Sequence, residues 1–219
     1  MSKILKDNGL TIVLLLLFVG SIAGHWVTGW HFQNEQLHSH GKSPITLFAF
    51  LKDPQFLSTV FENWESEFLQ MSAYVVLTGF LFQRGSAESA DPDAPDRDGD
   101  RQSKSTKGDS PIPMHRGALM RWVYARSLGT VLLVLFFASF IMHWIFSAKE
   151  AEAEAALHGM KSLSTLEYLA GSQLWFESFQ NWQSEFLSTA VIVVLSIFLR
   201  QKGSPESKPL GAAHSQTGS

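Results

Sequence analysis

Two stretches without a single Asp, Glu, Lys or Arg, residues 8–34 and 127–148, constrain this chain more than any other feature. Within them lie runs of about twenty mainly apolar residues, roughly 9–29 and 127–147. A helix rising about 1.5 Å per residue crosses with such a run the roughly 30 Å of a hydrocarbon layer. Whole-chain averages hide this pattern, because 219 residues with 45% apolar content and a net charge of -3 would equally suit a soluble domain. Cysteine is absent, which excludes thiol redox chemistry, disulfides and thiolate metal sites. A near-neutral balance leaves no electrostatic footprint for nucleic acid.

Shifting the chain by 118 residues aligns its two halves without a gap. His25-Trp26 falls on His143-Trp144, and His40-Gly41 on His158-Gly159. Phe61-Glu-Asn-Trp-Glu-Ser-Glu-Phe-Leu69 falls on Phe179-Gln-Asn-Trp-Gln-Ser-Glu-Phe-Leu187, and Gln83-Arg-Gly-Ser86 on Gln201-Lys-Gly-Ser204. Identity between the halves singles out His25 and His143, Asn63 and Asn181, Trp64 and Trp182, Ser66 and Ser184, and Glu67 and Glu185. The sequence therefore reads as a first two-helix membrane repeat over 1–88, a disordered cytoplasmic linker over 89–113, a second two-helix repeat over 114–206, and a disordered tail over 207–219. Lys3, Lys6 and Ser21-Ile-Ala23 imitate a secretory signal, but the counterpart of that run lies in mid-chain, so it reads as a retained helix.

The second helix of each half is predicted near 54–84 and 172–202, with Asp53 and Ser172 as caps and Pro54 in the first turn. The expected architecture is an all-α integral membrane fold of four transmembrane helices, arranged as two parallel tandem repeats with amphipathic helical segments in the external loops. Of 17 basic residues, 13 lie in the N-terminus, linker and tail, which places both termini in the cytoplasm. Trp26, Trp64, Trp144, Trp182 and Trp122 are expected as interfacial anchors. Arg116, Arg121, Trp122, Tyr124 and Arg126 form a basic, aromatic approach to the third span that suits anionic lipids.

Counted along the helices, His25 and Glu67 lie at a common depth, about 24 Å from the inner boundary, as do His143 and Glu185. An imidazole and a carboxylate at matched depth can hydrogen-bond, which offsets the unfavourable placement of ionisable groups near hydrocarbon. Asn63, Ser66, Glu67 and Gln70 follow helical spacing and continue to Tyr74 and Thr78 as a polar stripe. Asn181, Ser184, Glu185 and Ser188 repeat it. These groups can serve as helix-packing glue, or as a site for a proton, cation or small solute. A haem or metal held by His25 and His143, or by His38 and His40, is a weaker alternative, and neither a cofactor nor a metal is expected. A Ser–His–Glu hydrolase lacks a nucleophile elbow, so no enzymatic activity is expected.

The motifs Asn63-Trp-Glu-Ser-Glu-Phe-Leu-Gln70 and Arg200-Gln-Lys-Gly-Ser-Pro-Glu-Ser-Lys208, each with its counterpart in the other half, resemble those of an uncharacterised bacterial family of small integral membrane proteins, a domain of unknown function. The resemblance implies a bacterial inner (plasma) membrane and supplies no activity. The functional expectation is a small ion- or proton-linked permeation or sensing module built on paired His and Glu groups. The alternative is a structural or interaction module of the cell envelope. Either is compatible with a homo-oligomer.

Overall fold

The computed structural model describes residues 3–93 and 117–218, and every regular element among them is an α-helix. In chain order these are α1 (Lys3–Ser39), α2 (Leu47–Phe50), α3 (Pro54–Leu77), α4 (Ala118–Tyr124), α5 (Ser127–Leu157), α6 (Thr165–Ala170) and α7 (Ser172–Phe198). Among the described residues, α1, α5 and α7 are long and apolar enough to cross a membrane. Residues 94–113 of the expected linker, and Arg116, lie outside the described residues.

Both second helices begin where the caps predict and end earlier than expected, α3 at Leu77 and α7 at Phe198. Asp53 accepts the Gln55 N–H at 3.0 Å, which fixes the start of α3 at Pro54. At the other end the backbone finds side-chain partners that compete with the helix. Gln83 N–H donates to Ser89 Oγ and Gln201 N–H to Ser207 Oγ, while Gly85 and Gly203 both turn at φ +85°.

The chain forms two compact units, Met1–Phe61 with Met142–Gly171, and Glu62–Ile141 with Ser172–Ser219. Each takes residues from both halves of the sequence.

In the first unit, Phe50, Phe56 and Val60 are the buried core, covered by Ile22, Trp26 and Trp30 of α1 together with Ile45 and Leu57. The Phe50 ring lies 3.0 Å from where a side chain on Gly29 would begin, so glycine there permits the approach. The Trp26 indole donates to the Leu47 carbonyl at 2.9 Å, and 118 residues later Trp144 donates to Thr165 at 2.7 Å. Thr46 caps α2 and Ser164 caps α6, the latter in a full capping box with Glu167. Gly41 and Gly159 close the preceding long helices at φ +66°. Ser58 of α3 bonds Ser147 of α5 at 3.0 Å, and Phe61 stacks on Phe146, so these segments run antiparallel. His40 and His158, equivalent residues, meet edge-to-face at 5.0 Å.

In the second unit, contacts between α3 and α7 advance in step: Glu62 with Asn181, Glu65 with Trp182, Gln70 with Thr189. The two helices are therefore parallel. The Phe136–Trp182 and Phe140–Trp175 pairs run in the opposite sense, so α5 is antiparallel to α7. Residues 207–218 form turns. Lys208 is 2% exposed, and its ammonium donates to the carbonyls of Gly85, Ala213, His214 and Gln216. Those bonds supply the enthalpy that opposes the entropy of a free tail.

Candidate functional site

The richest concentration of polar side chains lies in the second unit, along the seam between α3 and α7. In this unit α3 buries Glu65, Ser66 and Ser72, and the seven residues from Glu65 to Ser72, near two helical turns, keep those two on one side. Glu65 is 0% exposed and accepts the Trp182 indole N–H at 2.9 Å. One turn earlier, Asn181 donates its amide to Glu62. Further along, Gln70 donates to Thr189, and Tyr74 donates its hydroxyl to Glu88 in the turn beyond the helix. From Glu62 to Tyr74 the column extends about 18 Å at about 1.5 Å per residue.

Glu88 lies beyond the helix and receives more than the tyrosine. Its mate at the same place in the second half, Glu206, is close enough to share a hydrogen bond with it. Burial pushes the Glu88 carboxyl above the usual range and the neighbouring Glu206 carboxyl adds to the rise, against the opposing pull of the Tyr74 hydroxyl. Ser86 and Ser196, both buried, bond each other at 2.9 Å beside it. A cavity of about 200 Å³ lies on the column, lined by Gln70, Ala73, Tyr74, Leu77, Phe186, Thr189 and Ala190.

The residues singled out by identity between the halves have separate fates. Asn181 is half-buried on Glu62, whereas Asn63 is exposed. Ser66 is buried and Ser184 exposed, and both hydroxyls turn back to the helix carbonyl three residues earlier. Glu67 is exposed and Glu185 half-buried, near enough to interact as like charges. His25 and His143 belong to the first unit. His143 is 0% exposed, and the His25 Nε2 lies 3.1 Å from Thr59 Oγ1, with the ring against Phe56. The Thr59 hydroxyl also lies 3.1 Å from the Gln55 carbonyl.

Trp26, Trp144 and Trp182 all commit the indole N–H to acceptors inside the protein. Trp122 is exposed on α4, with the Arg126 guanidinium 4.6 Å over its ring. His40 meets His158, but no cluster of three or more metal-ligating side chains forms among the described residues.

Identity between the halves could not find Glu62, Glu65 or Lys208, because their counterparts are Gln180, Gln183 and Ala90. The available signal was the reverse one. At two positions inside an otherwise repeated motif, a carboxylate in one copy is an amide in the other. A polar seam in an all-helical protein with three apolar helices long enough for a membrane describes a membrane protein without naming its activity. Comparison with curated proteins and with solved structures gives no match. Over residues 1–219 the chain matches the family model described as Domain of unknown function (DUF6766), and it belongs to that family.

Proposed function

We propose that this protein is a four-span module of the bacterial inner membrane, with both termini cytoplasmic, that handles protons through the polar column between α3 and α7. The observation that carries the reading is Glu65, a carboxyl group 0% exposed in a membrane protein and hydrogen-bonded to Trp182. Ionisable groups placed in a membrane-spanning bundle are unfavourable there and mark pathways or relays when they are kept. Glu65 and Glu88 are the principal proton carriers, and Gln70, Thr189 and Tyr74 bridge the distance between them. Glu67 and Glu185 flank the column, and His25 and His143 are the groups to test for pH sensing.

The fourth span in this reading is α3. Its 24 residues reach about 36 Å, enough to cross, and Ser58, Glu65, Ser66 and Ser72 are buried within the protein. A parallel tandem duplication is supported by the parallel run of α3 and α7, by capped loops repeated 118 residues apart, and by equivalent residues that touch: His40 with His158 in one unit, Glu88 with Glu206 in the other. Residues that meet their own repeat mates must lie beside a local two-fold axis. The exposed α4, with Leu119, Trp122 and Arg121, suits an anchor on anionic lipid.

The test is proton flux into liposomes carrying a trapped pH dye, with wild type beside Glu65→Gln and Glu88→Gln. Wild type should exceed empty liposomes, and Glu65→Gln should lower the flux at least tenfold. Equal leak in wild type, variant and empty liposomes would remove the proton reading and leave an envelope interaction module.

A further inference from the structure

The C-terminal segment wraps onto the turn that carries Glu88. Gly85 N–H donates to Thr217 Oγ1 at 2.9 Å, and Gly218 N–H donates to the Ser86 carbonyl at 2.9 Å. His214 Nδ1 lies 3.0 Å from the Ile197 carbonyl, and the Arg200 guanidinium donates to the Ala212 carbonyl at 3.1 Å. At the centre is Lys208, buried on four backbone carbonyls. Gly85 comes from the first half, whereas Ala213, His214 and Gln216 come from the tail at 3.2, 3.0 and 2.9 Å.

An ammonium has three protons to donate and is poorly tolerated away from water unless each is accepted. Here the acceptors come from two segments far apart in sequence, so the charge is satisfied only when they are held together. That makes the ammonium a latch. The equivalent residue in the first half is Ala90, so the device belongs to one repeat only. Gly85 shows how closely the strap lies, since a side chain there would begin 2.6 Å from the His214 carbonyl oxygen.

We propose that the segment from Pro209 to Gly218 is a strap that closes the Glu88 end of the polar column, latched by the Lys208 ammonium. This rests on the proton reading for its gating role, whereas the latch itself does not. The strap holds Gly85 and Ser86, and Ser86 in turn bonds Ser196 and accepts the Glu88 N–H at its hydroxyl. Release of the tail therefore uncovers that turn, so that the Glu88 carboxyl at the end of the column can exchange its proton with water.

The experiment compares wild type, Lys208→Met and a chain ending at Ser207 by two measurements. Hydrogen–deuterium exchange of the peptides covering 84–89 and 209–218 reports the latch, and dye-monitored proton flux in liposomes reports the gate. Lys208→Met keeps the length of the stem and removes the charge. It should accelerate exchange in both peptides at least tenfold and raise proton flux about tenfold. The shortened chain should match it in flux and in the exchange of 84–89. Unchanged exchange in Lys208→Met overturns the latch. Faster exchange with wild-type flux, in liposomes where Glu65→Gln abolishes that flux, overturns the gate. Should wild type, Glu65→Gln and empty liposomes all leak alike, the proton reading and the gate fail together, while the exchange still decides the latch.

Discussion

Glu65 and Trp182 form the hydrogen bond on which the proposed column depends, and their chemistry separates charge from acceptor. Glu65→Gln retains a carbonyl oxygen for the indole N–H, so unfolding in detergent should move by less than about 1 kcal/mol. Glu65→Leu removes that acceptor in a buried place and should lower stability by about 1–3 kcal/mol. Thermal or denaturant unfolding of the two variants checks this, and equal stability would show that Trp182 does not depend on Glu65. The sequence makes Glu67 and Glu185 prominent because both halves retain them, yet Glu67 is exposed and Glu65 is buried. A difference of two positions rotates a side chain by about 200° around a helix, and identity between repeats carries no information about which side faces a neighbour.

The turns after α3 and α7 are built alike, with glycine at φ +85° in both and a serine hydroxyl accepting the glutamine N–H in both. Their surroundings differ. Around Gly203 a side chain would meet open space, whereas at Gly85 it would meet the tail. Gly203→Ala should therefore lose about 1 kcal/mol for its left-handed backbone alone. Gly85→Ala should lose more and should also speed hydrogen exchange in the tail, which Gly203→Ala should leave unchanged. Thermal unfolding with exchange on both variants tests the contrast, and identical behaviour would mean the strap does not press on Gly85. The start of α3 was legible because Asp53 acts on an amide two residues away. The ends of α3 and α7 were not, because Phe80-Leu81-Phe82 prolongs the apolar pattern past Leu77 and Leu199 past Phe198, while the hydrogen bonds are taken over by the following turn.

In the molecule as a whole, the two halves share a sequence register without sharing an environment. On α5 the face Leu132, Phe136, Ser139 and His143 is buried, whereas Leu14 and Phe18, the α1 counterparts of the first two, are 56% and 47% exposed. The repetition is therefore local, strongest in the caps and loops. A duplicated, parallel arrangement makes two expectations for a protein that has no cysteine of its own. With His40 and His158 both replaced by cysteine, a short bifunctional thiol reagent should cross-link within one chain. A single cysteine at Ser43 should react with an impermeant reagent in intact cells, whereas one at Ser103 should not. Labelling at Ser103 alone would reverse the proposed topology, and absence of the cross-link would separate the loops that meet at His40 and His158.

Apolar run length and helix caps are properties of neighbouring residues, and they sufficed for an all-helical protein with helices long and apolar enough to cross a membrane. Which carboxylates are enclosed, which indoles turn inward, and where the tail lodges all depend on how helices rotate and on which distant segments share an acceptor. Glu65 and Lys208 acquire their partners from Trp182 and Gly85, more than a hundred residues away along the chain, so no local pattern announces them. Burial in a bundle is a property of assembled surfaces, and it appears only once the helices have been packed together.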